Sequence, residues 1–488
     1  MPIIDFSKQV LSGASRSWPA WALGWCLAGC STPSAITPLQ LSNPAPPAQW
    51  VNQSQDASLS SPSVLAAWWG LFNDPLLTQA VELALAANTG VRSAQAALAQ
   101  ARALREVAQA AGGFSLGASA SAQNAQTGQA DAKNAFKAGF DASWEADVWG
   151  RLGQGVAAST ADLQAAAASL GQVQVSLAAE VASAVIELRG LQARLAIARS
   201  NLAAQQETLQ ITEWRAQAGL ASSLDVEQAR VAAEQTRSQI PVLATGFQQT
   251  QNSLAVLTGQ TPGAWSAPWF VAPVPVPVQA LALGIPADTL RQRPDVQVAE
   301  RKVQAAWARY AQADAARYPR LTFSGNLGLG AASLGQLFDA AALTRTLLAS
   351  VSGNLFDQGA AKAQVRVQQA AVEQAVAGLQ ASTLTALLEV ENALIALRNN
   401  RDRLERLAAA AQAASNAELL ARHRYASGVI DFRTLLDTQK TLLSTQSELE
   451  SARVTHSTDH VRLYKALGGG WTPADLVTLQ NPLIQKPS

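Results

Sequence analysis

Two of the three histidines in this 488-residue chain, His456 and His460, stand one helical turn apart with Asp459 between them. Imidazoles at i and i+4 share a helix face, the arrangement that can grip a metal ion. A zinc-protease helix needs a glutamate directly after the first histidine, to act on metal-bound water, and Ser457 stands there instead. His456 also falls on an apolar helical seam, so a polar contact inside a coiled coil is the plainer account and no metal site is expected. Gly325, Gly328 and Gly330 lack the spacing of a dinucleotide loop and lie within a strand-like alternation. No nucleophile–base arrangement and no phosphate-cradling loop is apparent. These residues point away from an enzyme and from a resident cofactor, and place any energy source in a partner.

The only cysteines, Cys26 and Cys30, lie near the start of the chain, so no disulfide or thiolate metal site can form farther along. Lys8 and Arg16 precede an apolar stretch from Trp18 to Leu27 and then small residues, the layout of an export leader. Leu27-Ala28-Gly29-Cys30 resembles the lipobox of bacterial lipoproteins, where cleavage leaves the cysteine as a lipidated N-terminus. An ordinary signal peptide with an incidental cysteine is the alternative. The expectation is a signal peptide over 1–29 and a tether over 30–66, carrying covalent lipid (palmitate included) on Cys30. Several acyl chains hold a protein stably where one binds only marginally.

Charge is nearly balanced, 36 basic against 35 acidic residues, so no nucleic-acid partner is implied. After the leader no run of eighteen or more apolar residues occurs, and a bilayer would have to be crossed by strands rather than helices.

The elements that position these residues come twice. Gly219–Gly259 and Gly428–Gly468 align without gaps at a constant offset (428 − 219 = 209). Upstream, Val91 pairs with Val296 and Trp149 with Phe356 at slightly smaller offsets. A duplication of this length implies two similar halves, here 67–270 and 288–468, joined by a Pro-rich linker over 271–287 and followed by a tail over 469–488. Each half reads helix, two strands, very long helix, long helix. The first helix should run from Asp74-Pro75 to Gly112-Gly113, and its counterpart over Val296–Arg317.

Strict alternation of apolar and polar residues predicts strands over about 114–124 and 134–147 in the first half, and about 321–330 and 346–356 in the second. Trp144, Trp149 and Phe356 fall at or near strand ends, where an aromatic girdle meets lipid headgroups. Hairpins packed on a soluble core are the alternative. From about Leu152 to Gln217 and Ala360 to Ser427 there is no proline, and Leu177, Val181, Ala184, Leu188, Leu191 and Leu195 recur at three- and four-residue steps. Short turns at 219–223 and 428–431, opened by Gly219 and Gly428, force antiparallel helix pairs. Pro241 should bend the first returning helix.

Four strands cannot close a barrel in hydrocarbon, because open edges leave backbone groups unsatisfied. Identical copies must therefore pool their strands, with the coiled-coil pairs gathered into a cylinder beside them.

Ala67-Trp68-Trp69-Gly70-Leu71-Phe72-Asn73-Asp74-Pro75, Arg293-Pro294-Asp295-Val296, Tyr318-Pro319-Arg320 and Leu355-Phe356-Asp357-Gln358-Gly359 resemble hallmarks of the TolC/OprM-type (NodT-like) outer-membrane efflux lipoproteins. The resemblance implies a mixed α and β membrane protein: a homotrimer whose chains contribute four strands each to a twelve-stranded outer-membrane β-barrel, above a periplasmic α-barrel. It implies work with a periplasmic adaptor (membrane fusion protein) and an inner-membrane pump, and export of small compounds. It also places a gate near the helix turns, onto Asp225, Tyr425 and Asp437, with Gly219 and Gly428 marking turns for adaptor contact. Thr434 and Ile430 depart from the gate pattern, and Asp225 and Asp437 could simply be helix N-terminal acids. A non-conducting coiled-coil adaptor or scaffold, and an exit duct for protein secretion, are the alternative readings.

Overall fold

The structure, a computed structural model, describes residues 50–51, 65–126, 128–265, 272–277 and 290–472. The expected leader, Cys30, most of the tether and linker, and the tail beyond 472 lie outside the described residues.

A short 3-10 turn, Trp68–Phe72, leads to Asp74, whose carboxylate accepts hydrogen bonds from the amides of Leu76 (2.8 Å) and Leu77 (3.2 Å) and caps helix α1, Pro75–Ala87. The helix expected to continue to Gly112 breaks at Asn88. There the backbone turns extended, and the side-chain oxygen accepts from Gly90 N at 2.7 Å to start α2, Thr89–Ala110. The break is held by a distant contact: Asn88 Nδ2 donates to Leu257 O at 2.8 Å. Asparagine serves both ends of this join because it carries an acceptor and a donor on one short stem.

Strands β1 (Ser115–Ala125) and β2 (Lys133–Ala146) follow, then α3 (Arg151–Gln217) and α4 (Ser223–Leu257). The second half repeats the order with α5 (Pro294–Ala315), β3 (Arg320–Ala331), β4 (Leu343–Ser352), α6 (Ala360–Ala426) and α7 (Phe432–Ala466). Helices α3 and α6 are both 67 residues long and α4 and α7 both 35. The longer pair would each reach about 100 Å at 1.5 Å per residue. The constant offset extends upstream to Gly150 and Gly359 (359 − 150 = 209), left-handed glycines with φ 78° and 86° that begin the long helices. Trp149 and Phe356, one and three residues before those glycines, are thus not strict structural equivalents. Pro241 lies inside α4 without ending it.

The strand expected over 346–356 runs instead over Leu343–Ser352. Its neighbour explains the early stop: Arg320↔Ser352 is the last pair, and Pro319 before it has no amide hydrogen to continue the ladder. The sheet is antiparallel throughout in the order β1-β2-β3-β4, so its central pair, β2 with β3, joins the two halves. All four strands meet helices at the same end.

The main core lies around α3, against which α1, α2, α4, α5 and α7 pack. Leu77, Val81, Val185, Ile186, Leu188, Leu195 and Leu254 are almost wholly buried, each such side chain contributing roughly 1.5–3 kcal/mol. Trp68 stacks on Tyr464 at 5.1 Å between ring centres, bringing the first described helix turn onto the last helix. Part of α3 is apolar enough to cross a membrane, with mean hydropathy 1.3 over that window, but 56% of it is buried inside the protein. Its apolarity serves the core.

A candidate conduit wall and mouth

The sheet has two chemically distinct faces. Register places Leu116, Ala118, Phe140, Ala142, Trp144, Phe323, Leu327, Leu347 and Val351 on one of them. Among the described residues these side chains are largely uncovered: Leu347 is 87% and Val351 71% exposed. A contiguous apolar surface of this kind marks a membrane or protein interface. Arg345, opposite Leu327, is the one charge on this face of β4. The other face is polar and internally bonded. Ser119 Oγ donates to Asp141 Oδ2 (2.7 Å), Asn326 Nδ2 donates to Asp141 Oδ1 (2.8 Å), and the Thr322 and Ser350 hydroxyls share a bond of 2.7 Å. Between the faces, Gly139 and Gly328 are direct partners. A β-carbon on Gly139 would lie 2.7 Å from the Gly328 Cα, and one on Gly328 would lie 2.6 Å from the Ala138 carbonyl oxygen, so the strands meet closer than any side chain permits.

At the strand–helix end, the three aromatic residues singled out in the sequence separate. Trp144 stacks on Phe323 (5.7 Å) and donates from Nε1 to Gly112 O at 3.2 Å. Trp149 stacks on Tyr318 (4.8 Å) and donates to Pro319 O at 2.8 Å. Phe356 lies past the end of β4, 84% exposed. Each long helix is capped here by an aspartate the motif analysis left without a role. Asp147 accepts from Leu152 N and Gly153 N, and Asp357 from Gly359 N and Ala361 N. Those amide bonds, from Ala361 and then Gly359, hold the Asp357 carboxyl below its usual pKa.

The opposite ends of the long helices carry the turns. Gly219 (φ 76°) and Gly428 (φ 71°) adopt the left-handed backbone that closes a helix. Ser222 and Asp225 form a reciprocal capping box: Ser222 Oγ accepts from Asp225 N at 3.2 Å, while Ser222 N donates to Asp225 Oδ2 at 3.0 Å. In the second half the residue types are exchanged. Asp431 is the cap, and Thr434, at the position equivalent to Asp225, donates to it from both its amide (2.9 Å) and its hydroxyl. The Thr434 hydroxyl, then its amide, keep the Asp431 carboxyl low in pKa. Asp225 and Thr434 therefore share one local task, a signal present in the sequence as a Ser/Asp cap three residues before its partner.

Tyr425 is buried rather than lining open space. Its ring packs edge-on to Phe432 at 5.8 Å among Ala229, Ala421, Leu435 and Leu436, with Ile430 at the edge of the cluster. The Arg215 guanidinium lies over the ring at 4.7 Å and donates to Tyr425 O at 3.1 Å, a partner sequence reading missed. Asp437 is exposed, and within one chain no hydrogen bond joins it to Tyr425 among the described residues. The structure thus brings Tyr425 and the turn together and leaves Asp437 free to face outward.

The hallmark segments are rivets. Arg189, 1% exposed, donates from Nε to Asp74 Oδ2 at 3.0 Å and from Nη1 to Gln192 Oε1 at 3.2 Å. Arg293 binds Asp295 and Glu389 and donates to Ala466 O at 2.6 Å. By the repeat, Arg293 is the counterpart of Asn88 (293 − 88 = 205), and Ala466 of Leu257, so each half closes its last helix onto its first by the same contact. His456 and His460 meet edge-on at 4.9 Å in this region. Burial, with a minor part from His456, lowers the His460 pKa to about 4.

The model of the outer membrane efflux protein family matches residues 80–260 and again 285–469. The pyoverdine export outer membrane protein OpmQ of Pseudomonas putida is 32% identical over 465 residues, covering 92% of this chain and 96% of that protein. The toluene efflux pump outer membrane protein TtgC of Pseudomonas putida is 30% identical over 479 residues, covering 95% and 96%. Among solved structures, the outer-membrane channel OprN superimposes with a TM-score of 0.81 at 33% identity, over 86% of this chain and 98% of that one. The outer membrane protein VceC of Vibrio cholerae gives 0.77 at 25% identity, over 83% and 99%.

Proposed function

Because this chain belongs to the outer membrane efflux protein family, we propose that it is the exit duct of a tripartite efflux system, in which it makes no chemical change to what it passes. Three copies pool their sheets into one twelve-stranded barrel, apolar face to lipid and polar face to water, and gather their long helices into a periplasmic tunnel. The observation that carries this reading is the two-faced sheet whose outer strands, β1 and β4, are each paired on one side only. Edges left open in hydrocarbon cost several kcal/mol per unsatisfied group, so a neighbour's strand must complete them. The helices make the same demand. Helix α5 packs on both long helices, α3 and α6, whereas among the described residues its repeat counterpart α2 packs closely on α3 and lacks the second long helix, α6. A neighbouring copy's α6, whose Val367, Leu384 and Leu388 are exposed, supplies it.

The duct's partners are a periplasmic adaptor, met at the turns around Gly219 and Gly428, and an inner-membrane pump. Trp144, Trp149 and Phe356 sit at the headgroup level, and lipid on Cys30 tethers the N-terminus. The gate lies at the helix turns, where Asp437 carboxylates related by symmetry ring the mouth and favour cations over anions. Relatives similar to this chain are named for pyoverdine and for toluene, which is compatible with a cargo chosen outside the duct.

The test is heat-modifiable gel migration with membrane fractionation, followed by planar-bilayer recording. An outer-membrane species of about three times the 51.1 kDa chain that converts to single chains on boiling and conducts in bilayers is expected. A water-soluble periplasmic monomer without conductance overturns the reading.

A further inference from the structure

Helices α4 and α7 both pack on α3 and barely touch each other, leaving a cleft of about 390 Å³ floored by α3. Arg194 and Gln205 of α3, Thr236 of α4, and Lys440, Ser444 and Glu448 of α7 line it. Two buried atoms facing this space have no partner among the described residues: the Arg194 Nε and the Gln205 Oε1. Gln205 is only 4% exposed, so water outside the protein does not reach it freely. A buried polar group left without a partner is costly, because it has given up its hydrogen bonds to water. Neither Arg194 nor Lys440 has an ion pair among the described residues, while the single carboxylate, Glu448, already accepts from Ser444 Oγ at 3.0 Å. The cleft therefore sets two cations against one carboxylate.

The two orphaned atoms ask for opposite things. Arg194 Nε is a donor and requires an acceptor; Gln205 Oε1 is an acceptor and requires a donor. We propose that this cleft binds inorganic hydrogen phosphate, whose anionic oxygens meet Arg194 and Lys440 and whose remaining hydroxyl donates to Gln205. A guanidinium and an ammonium are suited to such an anion, the first through its planar fork and the second as a point charge. Arg194 belongs to the first half and Lys440 to the second, so the bound ion ties the two helix pairs together. The cleft lies within one chain, and this inference stands apart from the duct reading.

The test is titration calorimetry on the full chain purified in detergent and phosphate-free buffer, with inorganic phosphate, sulfate and glycerol phosphate as probes at equal ionic strength. One saturable phosphate site per chain is expected. Sulfate, which carries no hydroxyl at neutral pH, binds at least about tenfold more weakly, as do Arg194→Gln and Lys440→Gln with phosphate, each a loss of about one decade in affinity. Arg194→Lys retains most binding, and unchanged circular dichroism and gel migration establish that the variants are folded. Glycerol phosphate, mostly a dianion without a phosphate hydroxyl at neutral pH, is expected to bind as weakly as sulfate; binding as tight as that of inorganic phosphate overturns the proposal. No saturable phosphate uptake, equal affinity for sulfate, or undiminished binding by both Gln variants overturns the proposal.

Discussion

Replacing Asp74 separates two contributions that converge on one carboxylate. Asp74 caps α1 through the amides of Leu76 and Leu77 and receives the Arg189 guanidinium, both groups lying almost entirely out of solvent. Asp74→Asn keeps a good helix cap and removes the charge. Asp74→Ala removes both. Breaking one side of a buried ion pair costs about 3–5 kcal/mol, since the remaining charge loses a carboxylate partner in a poorly solvated place. Gln192 continues to accept from Arg189, so the loss for Asp74→Asn belongs at the low end, about 3 kcal/mol. Loss of the cap adds about 1 kcal/mol in Asp74→Ala. Asp74→Ala combined with Arg189→Met removes the guanidinium together with its carboxylate and should recover most of the deficit, leaving a cost close to the cap alone. The assay is thermal denaturation in detergent at fixed scan rate, ranked across the four proteins because such unfolding is not reversible, with limited proteolysis reporting local release of α1. The reasoning is refuted by an Asn variant as stable as the parent, or by a double variant no better than Asp74→Ala.

Three further perturbations address other parts of the molecule. Tyr425→Phe with Asp437→Ala should raise single-channel conductance in planar bilayers by opening the mouth; unchanged conductance removes both residues from the gate. His460 has its pKa lowered to about 4 by burial, so the unfolded chain binds the extra proton first as pH falls below about 6.5. Its contribution to stability is complete above that value and declines down to about pH 4, and His460→Phe should flatten the denaturation temperature across this window. If the parent and the variant show the same pH profile, other groups control acid stability. Gly139→Val places a side chain where the Gly328 backbone stands 2.7 Å away, and should sharply reduce the yield of heat-modifiable assembly in the outer membrane. Normal yield would show that β2 and β3 can separate without consequence.

Much of this architecture was legible residue by residue. Period-two alternation from Phe136 to Ala146 and proline-free seams such as Leu177–Leu195 report local geometry, because a strand or helix repeats its environment at a fixed spacing. The hallmark segments were recognisable by resemblance, yet their purpose was not. Nothing local in Arg293-Pro294-Asp295 announces that the guanidinium reaches Glu389 and the last helical carbonyl of α7. The candidate gate was less legible than the fold. Asp225 read equally as a gate carboxylate or a helix acid, and the structure shows it occupied by its own capping box. Tyr425 read as a polar latch, and packing turns its ring into the apolar cluster beneath the turn.

By its sequence alone, this protein was bound to be two copies of one helix–strand–strand–helix–helix unit, with long antiparallel helix pairs and amphipathic strands too few to seal a membrane. Those properties follow from the period and spacing of neighbouring residues. It took long-range packing to establish that β2 pairs with β3 across the two halves, that β4 stops opposite Pro319, that Asn88 breaks the first helix to reach Leu257, and that a polar cleft opens between α4 and α7. Each of these depends on groups far apart in the chain, whose meeting is settled by closing backbone hydrogen bonds and burying charge all at once, and such a requirement leaves no period behind in the sequence.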